Sequence, residues 1–195
     1  MNKFIRAPKE RYYRRLFYVA FEGKVTEKEY FNRLQKFAIS NNGLIKPIPP
    51  QENNSPAGTL QRLTDVIRTK RLSSGDEIWC VIDKDRWPQS QLDEVLLWAR
   101  SSIGKIVRGV ALSNPKFELW LLAHFEELNL SNTSAGAVVK SLKKYLPDYD
   151  KSLGDWKPTK EEIVHAVERC KVFSENPPLN SAGSSVWELV QRIIM

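Results

Sequence analysis

The run Leu16 to Phe21 (LFYVAF) is apolar, aromatic and β-branched, and it stops at Glu22-Gly23, which predicts a buried strand. Tyr30, Phe31, Leu34, Phe37 and Ala38 then fall on one helical face. Thr26 with Glu29 three residues on has capping-box spacing, so a helix is predicted from Thr26 to the break at Asn41-Asn42-Gly43. Leu44 to Ile48 predicts a short strand before Pro49-Pro50, followed by a polar loop through Gly58. Leu60, Leu63, Ile67 and Leu72 mark a second helix, ended by Ser73-Ser74-Gly75, and Glu77 to Ile82 (EIWCVI) is a strand that runs straight into Asp83. A third helix is predicted over Gln89 to Ser102 with Leu92, Val95, Leu96 and Ala99 inward. A fourth strand, Lys105 to Leu112, ends at Ser113-Asn114-Pro115.

This alternation predicts an α/β fold with a mainly parallel sheet flanked by helices and ligands beyond the carboxyl ends of the strands. Leu16–Phe21 and Glu77–Ile82 are expected as adjacent central strands, so that Glu22 and Asp83 emerge side by side. After Pro115 the pattern is purely helical: Phe117 to Leu128, Ala135 to Tyr145, Thr159 to Phe173 and Ser184 to Ile194. The short linkers between them place these helices on an edge or face of the same sheet. Pro147 to Pro158 has no clear pattern.

Composition sets bounds on this picture. With 195 residues, 42% of them hydrophobic, the chain has enough apolar surface for one substantial core. No window approaches the roughly 18 consecutive apolar residues that span a bilayer, and the basic N-terminal dozen lacks the features of a secretory signal. A soluble, cytoplasmic protein is expected, with no membrane partner. The two cysteines, Cys80 and Cys170, stand alone in apolar contexts and read as reduced core residues. The two histidines are too isolated for a zinc site. A net charge of +7 makes a polyanion such as nucleic acid a reasonable partner, through release of phosphate counterions.

The candidate chemistry sits at the strand ends. Asp83 and Asp85 in an extended segment project to the same side, because side chains alternate with period two. The alternative for an Asp-x-Asp is a solvated turn. Glu22 ends its own strand next to a glycine, a residue that lets a phosphodiester approach the backbone. Such carboxylates suit Mg2+, or Mn2+ in its place, since magnesium takes one or two carboxylates together with water and substrate phosphate. Glu118, in the first turn of a helix, is either a further ligand or an acid favoured by the helix dipole, whereas Glu27 and Glu29 read as ordinary helix-start acids. His124 reads as a core histidine. Lys24, Lys84, Arg86 and Lys116 flank the strand ends and are the candidate nucleic-acid contacts.

Phe21-Glu22-Gly23 with Thr26-Glu27-x-x-Tyr30-Phe31, then Ile82-Asp83-x-Asp85-x-Trp87, then Ser113-Asn114-Pro115-x-Phe117-Glu118-Leu119-Trp120-Leu121-Leu122-x-His124-Phe125 resemble the RloB family, as does Ser184-Ser185-Val186. The resemblance covers most of the chain. It implies a single Toprim-like domain over 1–195, with a core of about 14–130 and a helical C-terminal extension of about 131–195. It also implies catalytic residues Glu22, Asp83 and Asp85, with Glu22 as general acid/base or metal ligand and the two aspartates as metal ligands. Glu118 matches a family motif. A role in abortive infection, a form of antiviral defence against phage, would follow, beside an AAA/ABC-type ATPase acting in trans, because this chain has no P-loop motif.

The leading reading is therefore a Mg-dependent endonuclease, a phosphodiester hydrolase acting on DNA or RNA. The alternative is a catalytically inactive nucleic-acid-binding or regulatory subunit of a defence ATPase complex. A haloacid-dehalogenase-type phosphatase also ends a strand in Asp-x-Asp, but Arg86-Trp87 replaces the small residues typical there, and that chemistry has no use for Glu22 on another strand.

Overall fold

Alternation along the strands sorts the core into two halves, one on each face of a sheet. The computed structural model describes residues 13–84, 87–101, 104–129, 133–172 and 176–195. The sheet is built from β1 (Arg15–Phe21), β2 (Gly43–Ile48), β3 (Glu77–Asp83), β4 (Val107–Asn114) and the two-residue β5 (Gly183–Ser184), in the order β2-β1-β3-β4-β5. The first four strands are parallel, and β5 runs antiparallel to β4. Phe17, Val19, Phe21, Trp79, Val81 and Ala111 face one core, filled by α1 (Thr26–Ser40), α4 (Phe117–Leu122), α6 (Lys160–Lys171) and α7 (Val186–Ile194). Ala20, Ile78, Cys80, Ile82, Val110 and Leu112 face the other, covered by α2 (Pro56–Thr69) and α3 (Gln89–Arg100). This is the α/β arrangement expected, with β1 and β3 adjacent, parallel and central.

The order places a topological switch between β1 and β3: the chain leaves β1 for β2 on one side and returns across it to β3 on the other. In open α/β sheets such a point leaves a crevice beyond the carboxyl ends of the two strands. The connecting helices lie on opposite faces here, α1 on one and α2 on the other.

Three local expectations are corrected. Thr26 is the first residue of α1 and not its N-cap, and Val25 occupies the cap without a side-chain bond. Glu29 makes no capping box; it instead accepts from Leu153 N at 2.8 Å. The helix from Phe117 ends at Leu122, not Leu128. The last helix begins at Val186, because Ser184 and Ser185 serve the edge of β4: Ser184 Oγ pairs with Ser113 Oγ at 2.9 Å, and Ser185 N donates to Leu112 O at 2.8 Å. A full capping box does start α6, where Thr159 and Glu162 satisfy each other's backbone N–H groups. The predicted ends of two other helices, Ser102 and Phe173, lie outside the described residues.

At the amino end of the sheet, charge is buried and paired. Glu77 is fully buried; it receives Arg15, Arg192 Nε at 2.8 Å and Trp79 Nε1 at 2.8 Å. The Trp79 indole reaches Glu77 by lying over Gly109, its partner across β3 and β4. A Cβ on Gly109 would stand 2.4 Å from that ring. Gly109→Ala is therefore expected to destabilise the fold by about 1–3 kcal/mol through overpacking, read as a lowered urea midpoint with an unchanged m-value. A neutral result would mean that the ring shifts without cost.

Candidate active site

Backbone pairing carries the first acid into place. Glu22 N donates to Val81 O at 3.2 Å, extending the β1–β3 ladder one residue past β1 and setting Glu22 beside the end of β3. Asp83 N then lies 3.4 Å from Glu22 Oε2, and Trp87 Nε1 donates to Glu22 Oε1 at 2.9 Å. Trp87 belongs to the same motif as Asp83, so one motif supplies an acid and also a donor that orients the acid from the neighbouring strand.

A cleft opens over these strand ends. Glu22, Glu27, Asp83 and Glu118 line it, together with Lys24, Lys116, Lys151 and Asn54. Glu27 is the acid whose position was not anticipated. It is 6% exposed, and its Oε1 accepts from Gly23 N at 3.0 Å. A Cβ at Gly23 would fall 2.0 Å from Glu27 Oε2, so the volume a side chain would take holds the Glu27 carboxylate, which a larger residue there would displace. The sequence reading assigned that space to an approaching phosphodiester. The opposite wall is held by Arg62, buried on α2, which donates to Phe21 O at 2.8 Å and Asn53 O at 3.0 Å and so ties the loop bearing Asn54 to the end of β1.

The electrostatics are those of crowded like charges. Burial first, then the neighbouring Glu118 and Glu22 charges, push the Glu27 carboxyl up to about 7, against the lowering effect of the Gly23 N–H. Protein surrounds most of the Asp83 carboxyl, although the cleft gives it partial solvent access. Burial, then Glu27, Glu22 and Glu118, hold it well above the usual carboxylate range, opposed by a hydrogen bond from the Phe117 backbone. No Lys or Arg lies within ion-pair distance of Asp83, Glu27 or Glu118 among the described residues. Tyr149 donates to Glu118 Oε1 at 2.9 Å; burial and the Glu118 charge keep its phenol protonated well above the ordinary range.

Of the residues singled out in the sequence, Glu22, Asp83, Glu118, Lys24 and Lys116 meet at this cleft. Lys84 turns away, its ammonium donating to the Leu179 carbonyl. Asp85 and Arg86 lie outside the described residues. His124 is a core residue, as expected: it is buried, bonded to Tyr30 Oη at 3.1 Å and to the Trp120 carbonyl at 3.0 Å, and burial lowers it to about 4. Both cysteines are buried and unpaired. Glu27, Asn54, Tyr149 and Lys151 were missed. Glu27 stood in the motif Thr26-Glu27-x-x-Tyr30-Phe31 but read as a helix-start acid, whereas Tyr149 and Lys151 come from the segment without pattern.

Among the described residues, no three His, Cys, Asp or Glu side chains are arranged to hold a metal ion. The donor chemistry nonetheless fits magnesium, which binds hard oxygens and commonly takes only one or two protein carboxylates. Burial, then the charges of neighbouring acids, raise the Asp83 and Glu27 carboxyls, and a cation among them would favour their ionised forms.

Also among the described residues, no helix is long and apolar enough to cross a membrane. No curated protein and no solved structure matches the chain. The family model described as RloB-like protein matches residues 17–193, a span that includes every strand end and acid of the cleft. Together with the mainly parallel sheet, the strand-end acids and the closing helices, this match places the chain in the RloB family, with a Toprim-like fold.

Proposed function

We propose that the chain is a Mg2+- or Mn2+-dependent phosphodiester hydrolase acting on nucleic acid in anti-phage defence, beside an ATPase encoded separately. The observation that carries the reading is the meeting of Glu22 and Asp83 at the β1–β3 switch point, in a cleft shared with Glu118 and rimmed by Lys24, Lys116 and Lys151. Glu22, Asp83 and Glu118 offer the hard oxygens, one or two of which would hold the metal at a time, and Asp85 joins these candidates on the strength of its motif. A bound ion would supply charge neutralisation at the phosphate and a more acidic water.

The chain's own residues do the rest. The lysines at the rim seat the phosphate backbone. Glu22 enters the reaction as a carboxylate, stabilised by the Trp87 indole N–H and the Asp83 amide. It takes the proton of the attacking water as the new P–O bond forms, and returns it to the leaving oxygen as the old bond breaks. The Phe117 N–H favours the ionised form of Asp83.

A second reading, an inactive nucleic-acid-binding or regulatory subunit, draws on one observation, the lack of a three-acid metal arrangement among the described residues. The two separate in a single experiment. Wild type and Asp83→Asn are titrated against a labelled duplex and a tRNA at several salt concentrations, and cleavage is followed with Mn2+, with and without the ATPase and ATP. Expected are cleavage in wild type only, and binding by both proteins with a log–log salt slope of roughly one unit per phosphate contacted. Cleavage that survives Asp83→Asn in every condition would remove the site. Absence of cleavage in wild type under all conditions favours the inactive subunit.

The acids also make stability depend on pH. The folded Glu27 carboxyl is raised from 4.5 to about 7, so the folded state holds the extra proton. That contribution is complete below pH 4.5 and is lost as pH rises through about 7, a change of about 3 kcal/mol at 1.36 kcal/mol per unit. Asp83 acts in the same direction. Metal-free protein should therefore lose stability across this window, Glu27→Gln should flatten the loss, and Mg2+ should restore stability at the alkaline end. Asp83→Asn should leave the metal-free melting temperature at pH 7.5 equal to or above that of wild type. A fall of several kcal/mol in that variant would identify Asp83 as structural.

A further inference from the structure

Tyr149 belongs to the stretch after α5 (Ala135–Leu142), distant in sequence from β1 and β3, yet its hydroxyl reaches Glu118, an acid that lines the cleft. It is 3% exposed, and its hydroxyl has one proton to give. Thr26 Oγ1 stands 3.3 Å away, but Thr26 gives its own proton to the Lys151 carbonyl, and Tyr149 gives its proton to Glu118 Oε1 at 2.9 Å. The donor and acceptor roles are thereby settled.

The backbone around Tyr149 is clipped to α1. Glu29 accepts from Leu153 N at 2.8 Å and from Ser152 Oγ at 3.2 Å. Arg33, one turn on, donates to Gly154 O at 2.7 Å and Leu153 O at 3.3 Å, and to the Trp156 carbonyl. The phenol is thus fixed relative to α1, the helix that carries Glu27. Glu118 stands on α4, whose Trp120 and Leu121 are fully buried. A glutamate in the first turn of a helix and partly open to solvent needs no such partner for stability. A carboxylate required to keep one orientation does, and partners of ligating carboxylates serve this purpose in metal sites generally.

On the metal-dependent reading above, we infer that Tyr149 is a positioning residue for Glu118: its hydroxyl occupies Oε1 and fixes the carboxylate, so that Oε2 is the oxygen left for the divalent cation. The C-terminal helical region then completes the site.

The test uses Mn2+ uptake by the full chain, followed by loss of the free-ion EPR signal, for wild type, Tyr149→Phe, Glu118→Gln and the double variant, with Asp83→Asn as reference. Tyr149→Phe keeps the buried ring and removes one hydroxyl, so its metal-free melting temperature should move by no more than about 4 °C. Its Mn2+ affinity should fall about tenfold. Glu118→Gln should also weaken uptake, and the double variant should bind no more weakly than Glu118→Gln alone, because the tyrosine acts only through that carboxylate. A purely structural hydroxyl would instead weaken binding equally in both backgrounds, or not at all, and either result overturns the inference. Uptake lost in Asp83→Asn but indifferent to Tyr149→Phe removes the inference alone. A wild type that takes up no Mn2+ removes the metal reading, and the inference with it.

Discussion

Parallel pairing of β1 with β3 is the constraint on which the cleft depends, because it alone brings residues 61 positions apart to the same level of one sheet edge. The register Phe21↔Val81 sets Glu22 beside the last turn of the β3 ladder, and the Glu22 N–H extends that ladder by one bond. A slip of one residue would flip every side chain of β1 to the other face and take Phe17, Val19 and Phe21 out of the core they fill. The apolar alternation that makes the fold stable is therefore also what aims the acids. Since β1 and β3 are both buried on two faces, neither strand has room to drift.

The two ends of the sheet handle charge in opposite ways. At the amino end, Glu77 is surrounded by Arg15, Arg192 and the Trp79 N–H, while Asp76 accepts from Leu16 N at 2.9 Å and Ser73 N at 2.8 Å. Those acids are satisfied by the chain itself. At the carboxyl end, Asp83, Glu27 and Glu118 share a cleft with no ion-pair partner among the described residues, and burial, then the neighbouring acids, raise Glu27 and Asp83. The sheet neutralises a buried acid with two arginines at one end, whereas among the described residues the acids at the other have none. Clustered carboxylates of this kind are unfavourable until a cation or a proton joins them, and they persist where function needs them.

Period explains what was legible in the sequence. Strands such as LFYVAF and EIWCVI are unbroken apolar runs ending in an acid, so their type, their ends and the convergence of Glu22 and Asp83 follow from pattern alone. Tertiary demands hid the rest. Thr26 and Glu29 have the spacing of a local cap, but both are used by the segment at 149–154, a contact across more than 120 residues that no local rule contains. Ser184 and Ser185 read as a helix start because serine favours caps, whereas the open edge of β4 recruits their hydroxyl and amide groups first. Lys84 was placed at the substrate by its neighbours in sequence, and in the structure its long side chain reaches the Leu179 carbonyl instead.

Glu27 shows how the local and distant constraints join. Its backbone belongs to the first turn of α1, where an acid is favourable for the helix alone, and nothing in that role needs the side chain to be buried. Gly23 provides the volume and the N–H that draw the carboxylate inward, toward Glu22 and Asp83. The same turn of α1 carries Thr26, which holds the Lys151 carbonyl and stands against Tyr149, so one helix start arranges both an inner acid and the outer wall. The site is thus built from β1, β3, α1, α4 and the segment after α5, and the last of these reaches it only because Glu29 and Arg33 project from α1 one turn apart to grip its backbone. A helical region that looked, in sequence, like an addition to a finished sheet supplies the tyrosine that bonds Glu118 on α4.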